Sequence, residues 1–156
     1  MTPVIRNATP DDAEELARLR WQLYTEQDPS IAEPFDAYRK RFLGFALAAL
    51  VDDRWRAWVA GTEAGLAAAM WLQTVPRVPA PGRGKPRPIG YRTNAFVDPA
   101  HRGLGLGSAM LAAVFAHCEA NGFELVVAWP AKDAYSFYER AGFTRPPDPV
   151  VRHLPR

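Results

Sequence analysis

Apolar and polar positions change period several times along the chain, and each change marks an element. Residues 4–6, VIR, read as a short first strand. Thr9-Pro10-Asp11-Asp12 then opens a helix. Threonine is a favoured N-cap, proline suits the first helical position, and acids favour the positive helix end. Ala13, Leu16, Ala17 and Tyr24 recur on one helical face, with Leu23 at its edge. QDPSIAEP breaks this period. Residues 35–50 resume it with Phe35, Tyr38, Phe42, Phe45 and Ala49. Residues 54–60 alternate instead, with Trp55, Ala57 and Val59 on one side. GTEAG then reads as a hairpin turn and residues 66–75 as the return strand.

Residues 76–88 hold five prolines and two glycines and read as a loop, because proline cannot donate to a strand ladder. Residues 89–97 read as a strand ending at Asp98-Pro99, and residues 105–120 as a helix closed by Asn121-Gly122. FELVVAW, residues 123–129, reads as a buried strand. Asp133 is expected to cap a short helix, AYSFYERA, that ends at Gly142, and VVRHL, residues 150–154, to form a last strand. Neither an internal repeat nor a second domain is visible, so residues 1–156 read as one domain. Helices interleaved with strands in this way imply an α+β or α/β-type three-layer fold, with helices on both faces of a central sheet.

Composition narrows the classes. A chain of 156 residues can bury a sizeable core without a metal or disulfide. The net charge of +2 is too small to argue for a nucleic-acid binder. The single cysteine, Cys118, rules out an internal disulfide and fits a reducing compartment. The first residues lack a basic segment followed by an apolar one, and no apolar run reaches the length of a membrane span. The expected location is the cytoplasm, away from membranes.

One stretch carries the chemistry. RGLGLGS, residues 102–108, places Gly103, Gly105 and Gly107 directly before an apolar helical run. A helix start has unpaired N–H groups and a positive dipole end. Glycines there let a phosphate approach the backbone closely, and Arg102 adds a positive charge. The stretch is therefore a candidate pyrophosphate cradle, or simply a glycine-rich turn that starts a helix. A Walker loop would need Gly-Lys-Ser/Thr, and the dinucleotide fingerprint a different glycine spacing, and neither is present.

VDPAHRGLGLGSAML closely resembles the acyl-CoA loop of the GNAT superfamily of N-acetyltransferases, which carry Arg/Gln-x-x-Gly-x-Gly/Ala after a strand. Arg102, Gly105 and Gly107 occupy those positions. SFYERAGF, residues 136–143, resembles the family's second signature, and the order of elements agrees over nearly the whole chain. The resemblance implies a mixed, mostly antiparallel sheet and acetyl-CoA as acyl donor, with no metal. It implies that Arg102, Gly103, Leu104, Gly105, Leu106, Gly107 and Ser108 surround the CoA pyrophosphate. It also implies that the backbone of Ala95, Phe96 and Val97 pairs with the pantetheine arm and offers an N–H to the thioester carbonyl. Tyr138 matches the family tyrosine that acts as general acid toward the departing thiolate. Tyr24, Trp71 and Asn94 are candidates to face the acceptor.

There are departures. The strand 89–97 carries no acid to serve as base, so none is assigned, and water or an already neutral amine takes that place. Where many relatives have an asparagine seven residues before the tyrosine, this chain has Ala131. His101, His117 and His153 lack metal-ligand spacing, and Cys118 reads as core. With no evident nucleophile, direct transfer to the amine is expected. The basic stretch with Arg77, Arg83, Lys85, Arg87 and Arg92 reads as a solvated loop, or as a lure for an anionic acceptor or the CoA 3′-phosphate. The expected acceptor is a small-molecule amine. A macromolecular amine (a protein N-terminus, a lysine or an aminoacyl-tRNA) and a non-catalytic acyl-CoA sensor are the alternatives. A second copy of the chain, in a homodimer, is a further candidate partner.

Overall fold

Among the described residues, five strands form one sheet in the order β1-β2-β3-β4-β5: β1 (Val4–Asn7), β2 (Trp55–Thr62), β3 (Gly65–Val75), β4 (Ile89–Val97) and β5 (Leu125–Ala128). The computed structural model describes residues 2–145 and 152–155. The first four strands pair antiparallel, and β5 joins β4 in parallel. The expected mixed, mostly antiparallel sheet is therefore present.

Helices α1 (Ala13–Gln27) and α2 (Phe35–Ala49) cover one face, while α3 (Leu106–Ala120) and α4 (Tyr135–Arg140) cover the other. Strand alternation sorts the side chains between them. Ala57, Val59, Ala69 and Trp71 join Leu16, Leu19 and Phe42 on the first face. Trp58, Ala68, Met70 and Leu72 join Met110, Leu111 and Val114 on the second. Each leucine, valine, methionine or phenylalanine side chain buried this way contributes about 1.5–3 kcal/mol. Helix α1 is entered through a 3₁₀ turn at Pro10–Asp12, where Thr9 N–H donates to Asp12 Oδ2 at 2.8 Å and Arg6 holds the same carboxylate.

Some expectations change. FELVVAW does not make a buried strand: only Leu125–Ala128 pair, Leu125 is 46% exposed and Trp129 61% exposed. An apolar run does not distinguish a central strand from an edge one, and among the described residues β5 is an edge strand. Asp133 is not a cap; it lies inside a 3₁₀ turn, Lys132–Ala134, that leads into α4 from Ala134. Of the strand expected at 150–154, residues 150–151 lie outside the described residues and 152–154 show no regular structure.

Strand β4 carries the irregularity that matters for the site. Ala69 pairs with Phe96 and Trp71 with Thr93, so Met70 alone opposes both Asn94 and Ala95. Asn94 takes φ 49, the only non-glycine with positive φ among the described residues. An extra residue of this kind bends the strand and re-aims the side chains beyond it.

Candidate active site

The bend opens a gap in the sheet. Parallel pairing runs from Ile89 with Leu125 to Arg92 with Ala128 and then stops. Strand β5 leaves the sheet through Trp129-Pro130, so β4 from Thr93 to Val97 has no β5 partner. A cavity of about 390 Å³ lies there, walled by Ala95, Phe96 and Val97 of β4, Gly107 and Met110 of α3, and Tyr138 of α4. The structure thus brings together the strand end, the glycine loop and the tyrosine picked out in the sequence.

Beyond β4, Asp98 accepts from Ala100 N–H at 3.0 Å and shapes a 3₁₀ turn at Pro99–His101. Gly103 has φ 76, and Gly105, the residue before α3, has φ 74. A Cβ at either would meet nothing within 4 Å, so the left-handed backbone, rather than crowding, calls for glycine. The first backbone bond of the helix runs from Ala109 N–H to Gly105 O. Among the described residues, no hydrogen bond engages the six backbone N–H groups from Gly103 to Ser108. Six free donors at the positive end of a fifteen-residue helix suit a diphosphate, which accepts hydrogen bonds and carries negative charge. Leu104 and Ser108 are exposed, whereas the Leu106 side chain turns into the core, leaving its N–H for the loop.

Arg102, whose positive charge the sequence places beside the loop, shares that charge with an acid. Its Nη1 and Nη2 grip the Glu26 carboxylate of α1 at 2.9 and 2.7 Å, and its Nε donates to Val97 O at 2.9 Å. Its guanidinium also lies 5.5 Å from the Phe96 ring centroid. In return, the arginine holds the Glu26 carboxyl below the usual carboxylate range. Arg102 is therefore a clasp joining α1, the end of β4 and the loop.

Tyr138 is 7% exposed and sits at right angles to Phe137 and Phe143. Burial raises its pKa, and the neighbouring Arg92 offsets part of that rise. The phenol is thus protonated at neutral pH and able to give a proton. Tyr135, one turn earlier, lies 4.0 Å beneath the Arg145 guanidinium instead.

On the α1–α2 side, the candidate acceptor residues separate. Asn94 Oδ1 accepts from Arg20 Nη1 at 2.6 Å, and Arg20 also lies over the Tyr24 ring and donates to its hydroxyl at 3.3 Å. These three form one partly exposed group at the bulge. Trp71 does not join it. It is 2% exposed and packed among Phe42, Phe45 and Trp55, with its indole N–H unpartnered. Among the described residues, no carboxylate walls the cavity and no His/Cys/Asp/Glu group could hold a metal.

Sequence reasoning missed Glu26 and Arg92. Glu26 sits on α1, far from the motif, and nothing local marks it. In sequence Arg92 reads as part of the basic loop, yet it is 4% exposed. Its even spacing from Gly90 on a strand was the available signal.

A family model for the GNAT acetyltransferase domain matches residues 53–145. The chain belongs to the GNAT acetyltransferase family. It is an acetyl-CoA-dependent acetyltransferase. The whole architecture agrees with solved members. A predicted acetyltransferase from Clostridium acetobutylicum, crystallised with acetyl-CoA, superposes with a TM-score of 0.80 at 18% identity, over 97% of this chain and 96% of that one. A GCN5-related N-acetyltransferase from Ralstonia eutropha gives 0.76 at 24% identity, over 97% and 98%. Glucosamine-6-phosphate N-acetyltransferase from Arabidopsis thaliana gives 0.71 at 19% identity, over 99% and 100%. At these identities the likeness to the solved structures is one of fold. No curated protein sequence matches this acetyltransferase significantly.

Proposed function

We propose that this acetyltransferase moves an acetyl group from acetyl-CoA directly to the primary amine of a small molecule. The observation that carries the reading is the continuity of the site: six free N–H groups at the start of α3 adjoin a cavity that Gly107 and Tyr138 both line. The N–H groups of Gly103 to Ser108 would hold the pyrophosphate. Backbone groups of Ala95, Phe96 and Val97, left without a β5 partner, would hold the pantetheine arm and polarise the thioester carbonyl. The thioester supplies an activated acetyl group. As the amine nitrogen bonds to the acetyl carbon and the carbon–sulfur bond breaks, Tyr138 gives its proton to sulfur. The amine's surplus proton passes to water, since no carboxylate stands on the cavity wall among the described residues. No nucleophilic side chain is needed to carry the acetyl group.

Arg20, Tyr24 and Asn94 at the bulge are proposed to border the acceptor. The basic loop supports a nucleic-acid acceptor poorly, because Arg77 pairs with Glu124 and Arg87 binds the Gly122 and Phe123 carbonyls. We place the protein in the cytoplasm as a single domain. Its lone, buried thiol suits that compartment, and no described helix is long and apolar enough to cross a membrane. A panel of small amines, amino acids and polyamines, assayed for thiol release from acetyl-CoA, tests the reading. Release that depends on one or a few small amines supports it. Release with peptide or aminoacyl-tRNA alone, or with nothing, contradicts it.

A further inference from the structure

Arg92 is a buried cation at the point where β4 and β5 part. It is 4% exposed, its Nε has no hydrogen-bond partner, and among the described residues no carboxylate pairs with it. Its guanidinium carbon lies 4.6 Å from the Tyr138 ring centroid, well inside cation–π range. Gly90, two residues earlier on the same face of β4, is closely overlaid by Leu72 and Phe123: a Cβ there would meet them at 2.9 and 3.3 Å. The strand therefore packs tightly on this face and still admits an arginine. A leucine or methionine could fill such a position without the desolvation that a buried charge suffers.

We propose that Arg92 is a positioning residue for Tyr138: its guanidinium holds the phenol ring in place and stabilises the phenolate left by proton transfer. This rests on the reading of Tyr138 as proton donor. In that step the phenol O–H bond breaks and an S–H bond forms as the thioester carbon–sulfur bond breaks. The charge left on the phenolate faces Arg92 until water returns the proton. Arginine stays charged throughout. Burial lowers the Arg92 pKa, and its proximity to Tyr138 lowers that of the phenol relative to a site without the cation. The other groups near Tyr138 do not substitute for it. Cys118 of α3 is a buried thiol, Glu139 and Arg140 of α4 are exposed, Tyr91 packs against Trp129, and β5 carries no ionisable side chain.

The test uses the full chain with 3-fluorotyrosine incorporated at position 138, titrated by ¹⁹F NMR as wild type, Arg92→Lys and Arg92→Met. Arg92→Met should move the phenol's ionisation to higher pH, and Arg92→Lys should largely restore it. With acetyl-CoA and the amine that releases most thiol in the panel, Arg92→Met should cut turnover by about tenfold or more. In a Tyr138→Phe background the same change should add no further loss. An unmoved titration, or an equal loss in both backgrounds, overturns the role of Arg92. Undiminished turnover in Tyr138→Phe alone overturns the tyrosine reading first, and the two failures are thus separable. If Arg92→Met does not fold, Arg92→Gln is read in the same way.

Discussion

Arg102, directly before the glycine loop in sequence, holds both oxygens of Glu26, Nη1 at 2.9 Å from Oε1 and Nη2 at 2.7 Å from Oε2. Both side chains are partly exposed, so the pair adds little stability. Its effect is on local charge: Glu26 cancels much of the field that Arg102 would direct at a diphosphate. Glu26→Gln should therefore tighten CoA binding by about two- to fivefold at low salt, an advantage that fades as salt screens it. Arg102→Glu sets two acids together and frees Val97 O, and should weaken CoA binding by about tenfold or more. Calorimetry on the three proteins decides it. Equal affinities would take the Arg102 charge out of the site.

Gly105 tests the cradle by its backbone. At φ 74 a β-branched residue is strained although space is open. Gly105→Val should lose most of the rise in melting temperature that CoA gives the wild type, a rise that measures binding to the folded state. Gly105→Ala should fall between the two. If both variants gain as much as the wild type, the loop does not hold the ligand.

Local signals in the chain are read well from sequence. The α3 pattern, the loop glycines and the position of Tyr138 depend on neighbouring residues, and each falls where the pattern places it. Relations made by tertiary packing are not so readable. Whether β5 is central or at an edge depends on what lies beside it, and its apolar run carries no such information. Glu26 reaches Arg102 across 76 positions, and Trp71 exchanges an expected acceptor contact for an aromatic cluster assembled from α2 and β2. The Asn94 bulge arises from the register between β3 and β4, which no single strand reveals.

Tyr138→Phe keeps the ring and its edge contacts with Phe137 and Phe143 but removes the donor. Turnover should fall by roughly 10²–10⁴-fold, the usual scale of general acid catalysis, with melting temperature and CoA affinity little changed. Tyr135→Phe should leave turnover nearly intact, since that ring sits under Arg145. Steady-state kinetics of both variants with one accepted amine separate catalysis from packing.

Cys118 offers a check on the α3 packing. Its thiol is buried, and burial pushes its pKa up to about 11, so almost no thiolate exists at neutral pH. Iodoacetamide at about pH 7 should leave the folded protein unlabelled and modify the single thiol in denaturant. Fast labelling of the folded protein would show that α3 does not shield this face.

The most direct measurement follows the backbone amides of Gly103 to Ser108 in ¹H–¹⁵N spectra as CoA is added. These six N–H groups have no partner among the described residues, and a bound pyrophosphate would give them one. Their resonances should shift most, together with those of Ala95 to Val97, whereas pantetheine, which lacks the pyrophosphate, should move only the β4 set. Loop amides that stay in place while CoA binds would contradict the proposed cradle.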